Sequence, residues 1–147
     1  MKNCQLLLLM LVSFLSCTKQ KAKTDWVAVN TQFLTAGVWN FSSYDYYGTF
    51  SHTFYSDLAP CRQDDQEEFH ADGSGQTSEG PTKCNASAPQ TSSFSWRFTS
   101  EYANAFEISA GGSTTVYYID KLDAHDFKYH RKKSDPYAAD ISYGYSR

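Results

Sequence analysis

The densest group of side chains that could carry acid–base or metal chemistry lies between residues 64 and 72. This acidic stretch contains, in chain order, Asp64, Asp65, Glu67, Glu68, His70 and Asp72. Calcium loops place their oxygen ligands at fixed spacings that end in a bidentate glutamate, and the order here does not match an EF-hand loop. Alternation about Phe69 places Glu68, His70 and Asp72 on the solvent face of a strand, with no sign of burial that would raise a carboxyl pKa. We expect a solvated strand face here, with a metal site as the alternative.

Other patterns that carry catalysis are missing from the sequence. It contains no H-E-x-x-H pair, no G-x-S-x-G turn, no P-loop and no G-x-G-x-x-G segment. The four histidines are scattered and are predicted to lie on the surface: His52, His70, His125 and His130. The formal net charge is −3, which provides no basic excess for nucleic acid. The sequence therefore predicts a protein that is not an enzyme, with no catalytic residue, no metal, no cofactor and no nucleic-acid partner.

The first 16 residues have the composition of a secretory signal peptide. Lys2 provides a positive charge, and an apolar run of ten residues follows at Leu6–Leu15. As a helix this run would cover about 15 Å, roughly half of the ~30 Å hydrocarbon core of a bilayer. We therefore predict that residues 1–16 are removed rather than retained as a membrane span.

The next residue, Cys17, follows Phe14-Leu15-Ser16, and this segment resembles the lipobox of bacterial lipoproteins. The resemblance implies cleavage before Cys17, acylation of its thiol, and attachment to the lipid bilayer of the cell envelope, at the outer membrane. Residues 17–24 would then form a polar tether. The alternative is ordinary secretion with Cys17 as a free thiol.

Cys61 and Cys84 are the cysteines that remain when Cys4 leaves with the leader and Cys17 carries lipid. An even pair outside the cytoplasm predicts a disulfide bond. A zinc site is the alternative, although there is no C-x-x-C spacing and no histidine lies beside either cysteine.

The elements that position these residues are predicted to be β-strands. Phe94, Trp96 and Phe98 alternate with polar residues, and about eight short segments of this kind follow one another between residues 38 and 131. Within the first segment the aromatic residues change face after Phe41, which predicts a bulge or twist. No amphipathic helix follows any strand, so the fold class is all-β: an antiparallel up-and-down barrel, with a two-sheet sandwich as the alternative. Residues 25–132 form the barrel domain in this prediction, beginning with a short helix or turn, and residues 133–147 form a tail or a short extra strand around Ile141.

Several motifs occur in the order found in a known family. They are Gly37-Val38-Trp39, Cys61, Asp72-Gly73, Cys84 and Trp96-Arg97-Phe98. In this order they resemble the lipocalin-like lipoproteins of Bacteroidetes. The resemblance implies that a basic residue near the last strand packs across Trp39, with Arg131 as the candidate and Lys128 as the alternative.

The inward aromatic residues of such a barrel either fill the interior or line a pocket for one small ligand. Those expected to face inward are Trp39, Phe41, Phe69, Trp96, Phe98 and Phe106. Seven tyrosines are not needed for the core and suit either a binding surface or strand formation: Tyr44, Tyr46, Tyr47, Tyr55, Tyr117, Tyr118 and Tyr129. The predicted function is a membrane-anchored module that binds a small apolar ligand. The alternative is a structural or protein-interaction lipoprotein of the envelope with a solid barrel and a protein partner.

Overall fold

The structure is a computed structural model that describes residues 23–47, 52–131 and 140–147. The predicted leader, Cys17 and part of the predicted tail lie outside the described residues. The strands are β1 Trp39–Tyr47, β2 His52–Phe54, β3 Gln66–Phe69, β4 Ser74–Ser78, β5 Thr91–Phe98, β6 Ala105–Ala110, β7 Ser113–Leu122, β8 Asp126–Arg131 and β9 Asp140–Ser146. The helices are α1 Trp26–Leu34, the 3₁₀ turn Tyr55–Asp57 and the four-residue α2 Pro60–Gln63.

The predicted N-terminal helix is present as α1. Its first turn is capped by Asp25, whose carboxylate accepts a hydrogen bond from the backbone N–H of Ala28 at 3.0 Å. Its last residue, Leu34, is fully buried, and the Leu34 carbonyl accepts a hydrogen bond from the indole N–H of Trp39 at 2.9 Å. The helix therefore covers one end of the sheet. No helix in the described part of the chain has the length and apolar character needed to cross a membrane.

The strands form one closed antiparallel barrel, as the alternation predicts. Eight of them pair around a ring in the order β1, β3, β4, β5, β6, β7, β8, β9, and β9 pairs again with β1. The three-residue strand β2 stands outside the ring and pairs with the last residues of β1, beyond the point where β3 pairs with it. The sandwich alternative is therefore wrong.

The eighth barrel strand comes from the segment predicted to be a tail. Residues 140–146 form β9, which pairs with β1 and β8 along its length. The tail prediction is wrong for these residues, and the alternative of a strand around Ile141 is confirmed.

The predicted irregularity in β1 is also present, as a register shift between Phe41 and Ser43. A bulge of this kind inserts one residue and lets Phe41 and Tyr44 face the same side of the sheet.

The half of the barrel next to α1 is filled by aromatic side chains. The largest fully buried side chains are Trp39, Phe69, Phe106, Phe127 and Leu34. The aromatic rings of this set pack at centroid distances of 5.5 Å for Trp39–Phe127 and 5.8 Å for Phe69–Phe127, mostly in edge-to-face or tilted orientations. This end, which we call the closed end, is a solid core.

The cation on Trp39 is Arg147, not Arg131. The guanidinium carbon of Arg147 lies 3.7 Å from the centre of the Trp39 ring, and this guanidinium also donates a hydrogen bond to the carbonyl of Phe33. The prediction for Arg131 is wrong because Arg131 ends β8 at the opposite end of the barrel, four residues beyond the Phe127 ring that packs against Trp39. The alternative, Lys128, is also wrong, since its exposed side chain belongs to the outer face of β8.

The predicted disulfide joins Cys61 in α2 to Cys84 in the loop between β4 and β5. The S–S distance is 2.00 Å and the Cα–Cα distance is 5.2 Å. A second contact reinforces this link, because the Asp64 carboxylate accepts a hydrogen bond from the backbone N–H of Thr82 at 2.9 Å. Together these contacts hold the segment before β3 against the long β4–β5 loop.

Candidate functional site

The end of the barrel away from α1 is open, and we call it the open end. Three adjoining depressions of about 260, 210 and 280 Å³ lie there, and all three are lined in part by Tyr145. The largest is lined mainly by side chains of β5–β9, including Phe94, Ile108 and Tyr117. The barrel is therefore half solid and half accessible.

Glu67 is the buried polar group where the solid and open halves meet. Residues 67 and 69 of β3 are both buried, because alternate residues of a strand point to the same face of the sheet. Glu67 is only 8% exposed, and among the residues that the structure describes it is the only buried charged one. It contributes to two of the three depressions. A carboxylate in this position needs hydrogen-bond donors.

Two tyrosines, one on β8 and one on β9, supply those donors. The Tyr145 hydroxyl of β9 donates to Oε1 of Glu67 at 2.8 Å. The Tyr129 hydroxyl of β8 lies 3.1 Å from Oε1 and 3.3 Å from Oε2. The two phenol oxygens are 3.4 Å apart, so the three groups form one network. We call Glu67, Tyr129 and Tyr145 the carboxylate–phenol cluster.

Burial dominates the ionisation of this cluster. It raises the pKa of Glu67 from 4.5 to about 7, although the hydrogen bonds from Tyr145 and Tyr129 act in the opposite direction. The negative charge of Asp65 adds to the rise. Burial and the charge of Glu67 also raise the pKa values of Tyr129 and Tyr145 well above the usual value, so both phenols remain protonated donors near neutral pH. Glu67 therefore changes its charge close to pH 7.

Tyrosine rings form the wall above the cluster. Tyr143 stacks on Tyr129 at a centroid distance of 5.2 Å, and Tyr117 meets Tyr129 edge-on at 5.1 Å. Tyr44 meets Tyr143 at 5.7 Å and, with Phe41, lines the 260 Å³ depression. Burial raises the pKa of Tyr143 to about 12. The wall presents ring faces and edges together with a few hydroxyl groups, which suits a small amphipathic ligand.

The rim of the open end carries charges of both signs. Asp65 and Arg62 both line the 260 Å³ depression. Burial raises the pKa of Asp65, the neighbouring carboxylates of Asp64 and Glu79 raise it further, and Arg62 lowers it. The 210 Å³ depression differs, because its lining includes the carboxylates of Asp65, Glu67 and Glu79 and, among the described residues, no lysine or arginine.

The six aromatic residues expected to face inward have separate roles in the structure. Trp39, Phe69, Trp96 and Phe106 belong to the buried core, and Phe98 packs against that core. Phe41 packs against the core as well but also lines a depression at the open end. The tyrosines Tyr143 and Tyr145 were missed, because they lie in the segment predicted to be a tail.

The acidic stretch is solvated only in part. His70 and Asp72 are exposed and Glu68 is partly exposed, on the face predicted for them. The expectation that no carboxyl group would be buried is wrong for Glu67. The signal was available, since the alternation that directs Phe69 inward also directs Glu67 inward. Within the described residues no three His, Cys, Asp or Glu side chains are placed to hold a metal ion.

Comparison of the chain with protein-family models and with curated proteins finds no match. The function proposed below therefore depends on the residues and the geometry of the open end.

Proposed function

We propose that this protein is a non-enzymatic, lipocalin-like lipoprotein of the cell envelope that binds a small ligand at the open end of its barrel. The observation that carries the proposal is the division of the barrel into a solid half and an accessible half lined by tyrosines. Pockets for small molecules combine apolar and aromatic walls with a few convergent polar groups, and the open end has this composition. Glu67, Tyr129 and Tyr145 are those polar groups.

The lipocalin-like assignment is supported by two features of the closed end. Gly37-Val38-Trp39 begins the first strand directly after a short helix, and the Trp39 ring is covered by a cation from the end of the last strand. The family resemblance implies both features, with Arg147 in the role of the basic residue.

Membrane attachment is the second part of the proposal. In it, residues 1–16 are cleaved, Cys17 is acylated, and residues 17–24 link the barrel to the outer membrane. The measurement is the partition of the protein between the membrane and soluble fractions of cells that produce it, with Cys17→Ser as the variant. We expect the variant to become soluble, whereas equal membrane retention of both proteins would contradict the anchor.

Binding at the open end can be tested with a neutral apolar dye, N-phenyl-1-naphthylamine, whose fluorescence rises in apolar surroundings. Ser92 of β5 lines two of the depressions. Ser95 lies on the same strand and is exposed on its other face. We expect Ser92→Trp to obstruct the site and abolish saturable dye binding, and the matched Ser95→Trp to leave binding unchanged. Absence of saturable binding, or equal binding by both variants, would contradict the proposal.

A second function is favoured by exposed aromatic residues at the closed end. Trp26 in α1 is 47% exposed, and Tyr102 in the loop before β6 is 60% exposed. The two segments are joined by the Lys23–Glu101 ion pair at 2.9 Å and by a hydrogen bond from Asn30 to the carbonyl of Ala103. Tyrosine and tryptophan are enriched at protein interfaces, so this surface suits an envelope protein partner. Crosslinking in intact envelopes should then yield a partner that Trp26→Ser together with Tyr102→Ser removes. An unchanged crosslink pattern would exclude this surface.

A further inference from the structure

The charge of Glu67 is not balanced by a cation in the described part of the protein. Its hydrogen-bond partners are two neutral phenols, and no lysine, arginine or histidine of the described residues forms an ion pair with it. A buried carboxylate without a counter-charge is costly, and the cost falls when a cation binds beside it. The accessible depressions adjoin this carboxylate.

The other charges around the open end favour a positively charged ligand. Asp65 and Glu79 contribute two more carboxylates to the 210 Å³ depression. Arg62 lies on the rim next to Asp65, and the charge of Arg131 acts on the outer tyrosines Tyr117 and Tyr143. Both arginines thus lie outside the cluster. An anion that entered as far as Glu67 would meet uncompensated negative charge.

The tyrosine wall is suited to the same kind of ligand. A cation near the face of a tyrosine ring is attracted by the negative charge of the ring face, within about 6 Å of its centre. Tyr117, Tyr129, Tyr143 and Tyr145 line the 280 Å³ depression together with Glu67. A ligand that reaches Glu67 through this depression contacts aromatic rings along the way.

We propose that the open end binds a small organic amine, whose ammonium group pairs with Glu67 while its apolar body packs against the tyrosine rings. This inference rests on the proposed small-ligand function and specifies the chemical class of the ligand. The ionisation of Glu67 supports it, because a bound ammonium would stabilise the charged carboxylate and oppose the rise of its pKa to about 7 that burial causes.

The test uses three probes of similar shape and different charge: 2-phenylethylamine, 2-phenylethanol and 3-phenylpropionate. Binding to the full-length protein at pH 8 is measured by isothermal titration calorimetry. We expect the amine to bind roughly tenfold or more tightly than the other two. Glu67→Gln should remove this advantage of the amine over the alcohol. Glu68→Gln is the matched control, since Glu68 lies next in the chain on the outer face of β3.

A pH series on the unmodified protein gives an independent test that requires no variant to fold. Alkylamines remain cationic to about pH 10, so between pH 8 and pH 5.5 the main change at the site is protonation of Glu67. The groups that face it are Asp65, Tyr117, Tyr129, Tyr143 and Tyr145, and Glu79 shares the 210 Å³ depression with it. The amine should weaken about tenfold or more as the pH falls, and the alcohol should not.

The outcomes separate this inference from the proposed function. Binding of the alcohol or the carboxylate at least as tightly as the amine would overturn the amine assignment and leave the small-ligand function standing. A lack of binding by all three probes and by the neutral dye would overturn both.

Discussion

Burial makes the carboxyl group of Glu67 a weaker acid in the folded protein than in the unfolded chain. Replacement of Glu67 by glutamine removes this group. Its pKa rises from 4.5 to about 7 on folding. The glutamine side chain has nearly the same size, and its carbonyl oxygen can still accept the hydrogen bond from Tyr145. The substitution therefore removes the titration while retaining the packing and one hydrogen bond.

The sign of the effect follows from proton binding. Between pH 4.5 and pH 7 the folded protein holds a proton on Glu67 that the unfolded chain has released, so the free energy of unfolding falls as the pH rises. The stabilisation that proton binding to Glu67 gives the folded state is complete below pH 4.5 and is lost as the pH rises past about 7. At ~1.4 kcal/mol for each tenfold change in proton affinity, the loss from this group is about 3 kcal/mol.

Urea denaturation at pH 4.5 and at pH 8 measures this difference. The unmodified protein should lose about 3 kcal/mol more stability between these pH values than Glu67→Gln does. Glu68→Gln serves as the control and should follow the unmodified protein, because the Glu68 side chain is partly exposed on the outer face of β3. If the free energy of unfolding changes equally with pH in the unmodified protein and in Glu67→Gln, the reasoning is refuted, since Glu67 would then titrate as an ordinary solvent-exposed acid.

Two further predictions concern the contacts that hold the barrel together. Replacement of Cys61 and Cys84 by serine opens a covalent loop with a sequence separation of 23 and should lower the free energy of unfolding by about 3 kcal/mol. Equal urea midpoints for the disulfide-bonded unmodified protein and for this variant would contradict the prediction. Arg147→Ala removes the cation on Trp39 and a hydrogen bond, and should cost about 1–2 kcal/mol with a change in tryptophan fluorescence. Arg131→Ala should leave that fluorescence unchanged, and similar spectra for both variants would exclude the assigned contact.

The barrel could be predicted from sequence because its evidence is local. Phe94, Trp96 and Phe98 show the two-residue period of a half-buried strand without any knowledge of their partners. The last strand shows the same period with fewer strongly apolar residues: Ile141, Tyr143 and Tyr145 alternate with Ser142, Gly144 and Ser146. It is a strand because the two free edges of the sheet, β1 and β8, both pair with it.

The candidate site could be predicted only in part, for a related reason. Alternation with Phe69 would have indicated that Glu67 points inward. The phenols that bind it, however, lie 62 and 78 residues further along the chain. One of them, Tyr145, belongs to β9, whose segment was predicted as a tail or a short extra strand. Arg147 was missed for the same reason, since its position over Trp39 exists only once β9 has closed the ring.

The pairing of the first barrel strand with the last has a consequence for biogenesis. Asn40 lies opposite Ser146, a contact that spans 106 positions and gives this part of the fold a high contact order. Until β9 pairs with it, β1 leaves one edge without its neighbour, and unpaired edges recruit strands of other molecules. Pairing of β9 with β1 and β8 is therefore the step that removes the last unpaired edges of the ring.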